Sequence, residues 1–464
     1  MPDFPAPVTS PNPPETSFTG GITRYRWVIC GLLFFATTFN YLDRQVISYL
    51  KEFFCTPIEK GGFGWTNTEF SHLTSAFTGV YAGMTIFAGW IIDKIGTKLG
   101  LALSLVAWSL LGIANAFVGA SLTLHIIVRS AFGIGEAGNF PASIKTVAEW
   151  FPKRERALAT GIFNCGTNAG AMIAALFVPW CMIHYGDERG WKAAFIYTGL
   201  AGFVWLAFWF WLYDTPARQK RLSRAEYEYI HIDEDTSALD KNGDHAKVSW
   251  GHLFGYRQTW SFFFGKFLTD GIWWFYLFWL PDYLLKQFGM TKHEVMLPTF
   301  ILYGVAMTGS VYGGGIPMSL IRKGMPIYKA RMSAMFIIAV VPLTVLSTQY
   351  FANVGMFGKA APWLAVAIIC IGAAAHQAWS ANLFTTVSDM FPKKAVGSVT
   401  GIGAMAGGIG GVLVQLLVGF LTDKFKDNPQ HAYFLIFIVC ALSYLIAWGI
   451  MKALVPRHIP ITDI

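Results

Sequence analysis

Four charged residues stand inside long apolar stretches: Asp43 beside Arg44, and Arg129 with Glu136. An uncompensated charge at membrane depth costs roughly 2.5–3.5 kcal/mol on insertion scales, so such residues pair, face a bundle interior or line water. Arg129 and Glu136 are seven apart, two helical turns, and share one face. Asp43 and Arg44 are adjacent and point roughly 100° apart on a helix. One can face a cavity while the other faces a neighbouring helix. An arginine fork gives a carboxylate two parallel hydrogen bonds, so two cavity arginines favour an anionic ligand over a neutral one. A carboxyl group in low-dielectric surroundings exchanges its proton nearer to neutral pH. The chemistry that follows is a cycle. Protons arrive at Asp43 and Glu136, the arginines leave their acid partners, and the freed arginines capture a substrate carboxylate. The plainer alternative is two ion pairs that fix helix packing.

Other polar residues inside the apolar stretches suit hydroxyl groups: Tyr41, Tyr81, Asn164, Asn168, Trp273, Trp274, Tyr276, Gln377, Ser380 and Asn382. A buried amide needs a partner, whereas a single aromatic serves equally well in packing or in an interfacial belt. Lys266 and Asp270, four apart, form either a mutual ion pair or a gate or substrate contact. His376 reads as a packed histidine.

The elements that must position these residues are membrane helices. The chain has 464 residues, 54% hydrophobic and 13% charged, against about 25% charged in a soluble domain. Too few charges remain for a polar exterior, and a bilayer removes that need. The apolar runs are about twenty residues long and do not alternate, which indicates helices rather than barrel strands. They fall at 27–49, 72–95, 99–119, 121–145, 157–183, 193–213, 260–285, 296–321, 331–348, 362–390, 396–422 and 432–454. This predicts an all-α membrane protein with twelve transmembrane helices. Lys and Arg collect in alternate connections, including Lys94, Lys98, Lys153, Arg154 and Arg156, Arg218 to Arg224, Arg322 to Arg331, and Lys393 with Lys394. Those connections should be cytoplasmic, with both termini. The formal charge of +8 is thereby topology, not a nucleic-acid surface. The Pro-rich start lacks the plan of a cleavable signal and reads as a disordered tail. Six single cysteines show neither metal spacing nor a disulfide framework.

The two halves repeat. Phe151-Pro152-Lys153 returns as Phe391-Pro392-Lys393, and Thr160-Gly161-Ile162 as Thr400-Gly401-Ile402, both 240 residues on. Paired repeats around a midplane site are a transporter plan. Gly133-Ile134-Gly135-Glu136-Ala137-Gly138 matches a dinucleotide fingerprint but has no strand before it. These glycines, like Gly407, Gly408, Gly410 and Gly411, suit close helix packing. No phosphate loop, nucleophile–base pair or metal cluster emerges, so neither an enzyme nor a cofactor is expected.

The loop from Gly89 through Asp93, Lys94 and Gly96 to Lys98 resembles the signature of the major facilitator superfamily, with a degenerate copy from Gly315 to Arg331. Asn40 to Arg44, Arg129 with Glu136, and Trp273 to Tyr276 resemble its anion:cation symporter branch. That branch includes hexuronate and galactonate permeases and the sialin and vesicular glutamate carriers. Lys266 to Pro281 and His376 to Asn382 look most like bacterial hexuronate transporters. The resemblance covers nearly the whole chain. It implies two pseudo-symmetric six-helix bundles, at 22–213 and 259–456, with a tail at 1–21, a cytoplasmic loop at 214–258 and a second tail at 457–464. It implies proton coupling through Asp43 and Glu136. Substrate contacts would come from Arg44, Arg129, Tyr41, Tyr81, Asn168, Ser380 and Asn382. Asp93 and Arg156 look like the latch that steadies the outward-open state. The expected protein is an inner-membrane, single-chain importer of a small carboxylate such as glucuronate or galacturonate. The alternatives are a sodium- or potential-driven carrier of another anion, such as galactonate, and a transport-dead sensor of the same fold.

Overall fold

The computed structural model describes residues 23–232, 250–313, 315–391, 393–457 and 461. The expected N-terminal tail, 233–249 of the central loop and most of the final tail lie outside the described residues. In the first half, α1 (Tyr25–Cys55), α2 (Asn67–Ile95), α3 (Thr97–Ala114), α4 (Leu122–Glu136), α5 (Asn139–Trp150) and α6 (Lys153–Leu212) follow in order. Short helices α7 (Arg224–Ile230) and α8 (Trp250–Leu253) lie in the central connection. The second half holds α9 (Arg257–Phe288), α10 (Met296–Gly313), α11 (Gly315–Arg322), α12 (Ile327–Val340), α13 (Thr348–Phe351), α14 (Val354–Phe357), α15 (Ala361–Met390), α16 (Lys393–Lys424) and α17 (Pro429–Leu454).

Local sequence sets the boundaries. Thr66 opens α2 with a capping box, its hydroxyl on the Glu69 amide and the Glu69 carboxylate on its own. The fifth and sixth expected spans are joined into α6, and Gly186 (φ 72°, ψ 167°) makes the turn between them. That left-handed φ costs a glycine little. The expected fourth span is two helices, with the break directly after Glu136. A Cβ at Gly135 would sit 2.7 Å from the Trp108 nitrogen, and one at Gly138 would sit 1.9 Å from Ser104 Oγ. The fingerprint-like glycines therefore admit α3. On α16, a Cβ at Gly410 would meet the Phe267 carbonyl at 1.9 Å, and one at Gly408 would meet Ala82 Cβ at 2.1 Å. This helix lies wedged between α9 and α2.

Seven stretches among the described residues are long and apolar enough to cross a membrane, and they cover the second, third, fifth, sixth and ninth to twelfth expected spans. The first, fourth, seventh and eighth spans are not among them. The first, fourth and seventh helices carry Asp43, Arg44, Lys51, Arg129, Glu136, Lys266, Asp270 and Asp282. Leu103, Leu110, Ile127, Val204 and Leu413 each expose more than half their surface, an apolar exterior that lipid accepts. Inside, α1 packs on α6, α2 on α4, α9 on α17 and α10 on α15; the halves meet where α1 touches α9, α2 touches α16 and α6 touches α10.

Candidate functional site

Three helix segments build a charged centre beside the seam between the halves. Arg44 comes from the far half of α1, Arg129 and Glu136 from α4, and their shared neighbour Phe77 from α2. Arg44 Nε and Nη2 both lie 2.9 Å from Glu136 Oε2. Arg44 Nη2 also donates to Asn40 Oδ1 at 3.4 Å. Its guanidinium lies 4.4 Å from the Tyr41 ring centre and 4.5 Å from that of Tyr81, with Phe77 and Trp274 at 5.5 Å. Trp274 belongs to α9, so the second half closes one wall around a first-half arginine. Arg44 and Glu136 are each 1% exposed.

Arg129 also lies buried, at 1% exposure. It donates from Nη2 to the Arg44 carbonyl at 3.0 Å and rests 4.6 Å from the Phe132 ring. Among the described residues, its Nη1 has no hydrogen-bond partner, and neither has Glu136 Oε1 nor either carboxylate oxygen of Asp43. The expected pair of arginine–acid bridges is therefore corrected to one. Asp43 turns toward α3, near Gly112, within electrostatic range of Arg129 and Glu136 but bonded to neither. The reason is the 100° between adjacent helical side chains: Arg44 takes the α4 side, and Asp43 takes the other. An unmet buried polar group costs about 1–3 kcal/mol, more when charged. Four such atoms fall in one cluster.

The second half faces this centre with a different chemistry. Lys266 Nζ lies 2.6 Å from Asp270 Oδ2, one turn along α9, and 4.7 Å from the Phe384 ring centre. Asp270 is within electrostatic range of Tyr41, across the seam. His376 is packed, as expected, stacked on Trp273 at 5.1 Å with Nδ1 2.8 Å from the Tyr444 hydroxyl. Asn168 on α6 is 3% exposed with an unpartnered Oδ1. Asn382 on α15 uses its amide nitrogen on the carbonyls of Gly313 and Ala378, both at 2.9 Å. Ser380, two residues before it, is half-buried. Gln377 accepts from Ser310 Oγ at 3.3 Å, joining α15 to α10.

Of the expected latch, the Asp93 side chain lies outside the described residues. Arg156 donates to the Phe151 and Ala148 carbonyls at 2.9 and 2.8 Å, tying the end of α5 to the start of α6. The repeat places Arg331 on Asp389 in the second half, where α12 meets α15.

Sequence reasoning passed over a second charged cluster at the far end of α1. Lys51 Nζ lies 2.7 Å from Asp282 Oδ2 on α9 and 2.7 Å from Asn67 Oδ1 on α2. Lys51 lies two residues beyond the expected first span, and Asp282 follows Pro281 close to the end of the expected seventh. Ser48 donating to the Leu277 carbonyl at 2.8 Å and Gln415 donating to Thr78 at 2.8 Å join the halves between this end and the middle.

The sequence profile of the Major Facilitator Superfamily matches residues 33–415. The chain is 29% identical over 428 residues to the hexuronate transporter of Escherichia coli strain K12, covering 92% of this chain and 94% of that one. It is 30% identical over 297 residues to the galacturonate transporter of Dickeya chrysanthemi, covering 63% and 81%. It is 26% identical over 437 residues to the D-galactonate transporter of Escherichia coli O6:H1, covering 92% and 97%. In fold it is similar to a bacterial homologue of the human lysosomal transporter Spinster, inward-facing and unoccupied, at TM-score 0.70 and 17% identity over 94% and 99% of the chains. A D-xylose–proton symporter matches at TM-score 0.69 and 15% identity over 94% and 100%.

Proposed function

The chain belongs to the Major Facilitator Superfamily, and on that premise we propose that it imports a small sugar-acid anion, a hexuronate such as glucuronate or galacturonate, by proton symport. It is a multi-pass membrane transporter and not an enzyme. The observation that carries the reading is the Arg44 guanidinium, held by one oxygen of Glu136 inside a ring of Tyr41, Tyr81, Phe77 and Trp274. A carboxylate ligand and Glu136 want the same two N–H groups. Only one of them can have both.

The cycle follows from that competition. A proton on Glu136 weakens its hold on Arg44, because a neutral acid no longer pays back the desolvation of a buried guanidinium. Arg44 then offers its fork to the substrate carboxylate, and the free Nη1 of Arg129 adds a donor. Asp43, unpaired beside them, is the second proton acceptor. Tyr41, Tyr81 and Asn168 from the first half, with Ser380 and Asn382 from the second, meet the sugar hydroxyls. Closing around the substrate and opening toward the cytoplasm releases the protons there, re-forms Arg44–Glu136 and expels the anion. The basic connections face the cytoplasm, so import runs from the Lys51 end of α1 toward its start, across a bacterial inner membrane, in a single chain divided at 214–258.

The test is uptake of radiolabelled glucuronate and galacturonate into proteoliposomes with an imposed inward proton gradient, with and without protonophore. Accumulation that collapses with protonophore supports the reading. Accumulation that ignores pH and follows sodium overturns the coupling. Accumulation of galactonate in place of both uronates overturns the substrate.

A further inference from the structure

Lys51 and Arg44 are seven residues apart on α1, so they share a face with a rise of about 10 Å between them. Lys51 is 0% exposed and Asp282 is 1% exposed. The ammonium sits 4.7 Å from the Trp279 ring centre. Asp282 Oδ2 also takes the Tyr433 hydroxyl at 2.8 Å and Lys286 Nζ at 3.2 Å, while Oδ1 has no partner. Asn67 accepts from Lys286 at 3.1 Å and donates to Asp423 at 2.8 Å. The cluster thus closes the seam from both sides.

The partners divide unequally between the halves. Asp282, Lys286, Tyr433 and Asp423 all belong to the second half. When the halves part at this end, Asp282 keeps Lys286 and Tyr433. Among the described residues, Lys51 keeps the Asn67 amide oxygen and the Phe70 ring, 5.6 Å from its ammonium, neither of them an acid. It becomes the one cation of the cluster without a counter-charge, at the mouth of the path and two turns above Arg44. We infer that Lys51 is a landing site for the carboxylate of the incoming substrate, masked by Asp282 in this state, and that it passes the anion down the α1 face to Arg44. The inference rests on the proposed import of a sugar acid. Asp282 and the substrate compete for one ammonium, so the path reseals only after the carboxylate has moved on.

The plainer role for Lys51–Asp282 is a gate with no contact to substrate, and the experiment separates the two. Right-side-out proteoliposomes carry Lys51→Gln, Lys51→Arg, Asp282→Asn or the exchange Lys51→Asp with Asp282→Lys. Two quantities are read: the external glucuronate or galacturonate concentration giving half-maximal uptake, and the alkylation rate of Leu277→Cys at the seam in a background without the six native cysteines. A landing site predicts that Lys51→Gln raises half-saturation roughly tenfold, about 1.4 kcal/mol, while Lys51→Arg stays near wild type. Asp282→Asn speeds alkylation without raising half-saturation. The exchange slows alkylation again and leaves half-saturation high, because the cation now sits on the wrong half. If the exchange restores both quantities, or if Lys51→Gln and Asp282→Asn shift half-saturation alike, the landing site is wrong and the pair is a gate alone. Should Lys51→Gln not insert, Lys51→Met carries the same reading. A wild type that moves no sugar acid overturns the proposed function and the landing site together, a result distinct from either variant pattern.

Discussion

The two halves answer one architectural demand with opposite electrostatics. In the first half, Arg44 and Glu136 come from different helices, 92 residues apart in sequence. In the second, Lys266 and Asp270 sit one turn apart on α9. A pair between helices exists only while those helices keep their packing. A pair within one helix survives any motion of the bundle. On the proposed function, coupling a proton to a conformational change would therefore belong to the first half, where protonating Glu136 breaks the ion pair that joins α1 to α4. The second half supplies rings, amides and the glycine-lined surface of α16 on which the halves meet. The lesson concerns repeats. The Phe-Pro-Lys and Thr-Gly-Ile triplets recur in both halves, whereas the Arg44–Glu136 pair is built in one.

The largest effect should come from removing a first-half arginine. Truncating one member of a buried charge pair costs about 3–5 kcal/mol, and each 1.36 kcal/mol is tenfold in rate. Arg44→Ala should therefore lower sugar-acid uptake roughly 100-fold or more, with Arg129→Ala close behind. Lys266→Ala should lower it roughly tenfold at most, since Asp270 is 20% exposed and water can serve it. Equal losses in both halves, measured as initial uptake rates in proteoliposomes, would break the contrast.

Next come the acids, which sharpen it. Glu136→Gln and Asp43→Asn imitate the protonated state. Gradient-driven accumulation should fall roughly 100-fold, with protonation no longer available to supply the differential energy that the cycle needs. Exchange of labelled for unlabelled substrate at equal pH should continue within a few-fold of wild type. If Asp270→Asn shows the same split, coupling is shared between the halves. In the second half the informative variant is double. Lys266→Met with Asp270→Asn removes the pair without leaving an unpaired charge, and should restore most of the uptake lost by Lys266→Ala.

Much of this site was legible as residue types before any geometry. Arg44, Arg129 and Glu136 announced themselves because charge inside an apolar run has few uses. The helices follow from run length, and the expected orientation from the Lys and Arg loops. Two features were not legible. Which acid meets which arginine depends on the rotation of α1 against α4, and period alone gives only a 100° choice between Asp43 and Arg44. The Lys51–Asp282 cluster joins positions at the ends of two spans, where a charge looks like an ordinary boundary residue. Contact between α1 and α9 turns two boundary residues into a buried pair, and that contact is a property of the folded bundle.

The smallest effect separates two amides that sequence alone treats alike. Asn168 and Asn382 are both deep in spans, at 3% and 1% exposure. The Asn382 nitrogen already serves two carbonyls, one on its own helix and one on α10. Losing such bonds costs about 0.5–1.5 kcal/mol each, so Asn382→Ala should lower the melting temperature of the purified protein by a few degrees. Its effect on half-saturation should stay within about threefold. Asn168 keeps an unpartnered oxygen that only a ligand or water can use. Asn168→Ala should leave melting nearly unchanged and raise half-saturation severalfold. If the two swap behaviour, Asn382 reads the substrate through its free oxygen, and the second half contributes more to recognition than its satisfied amide suggests.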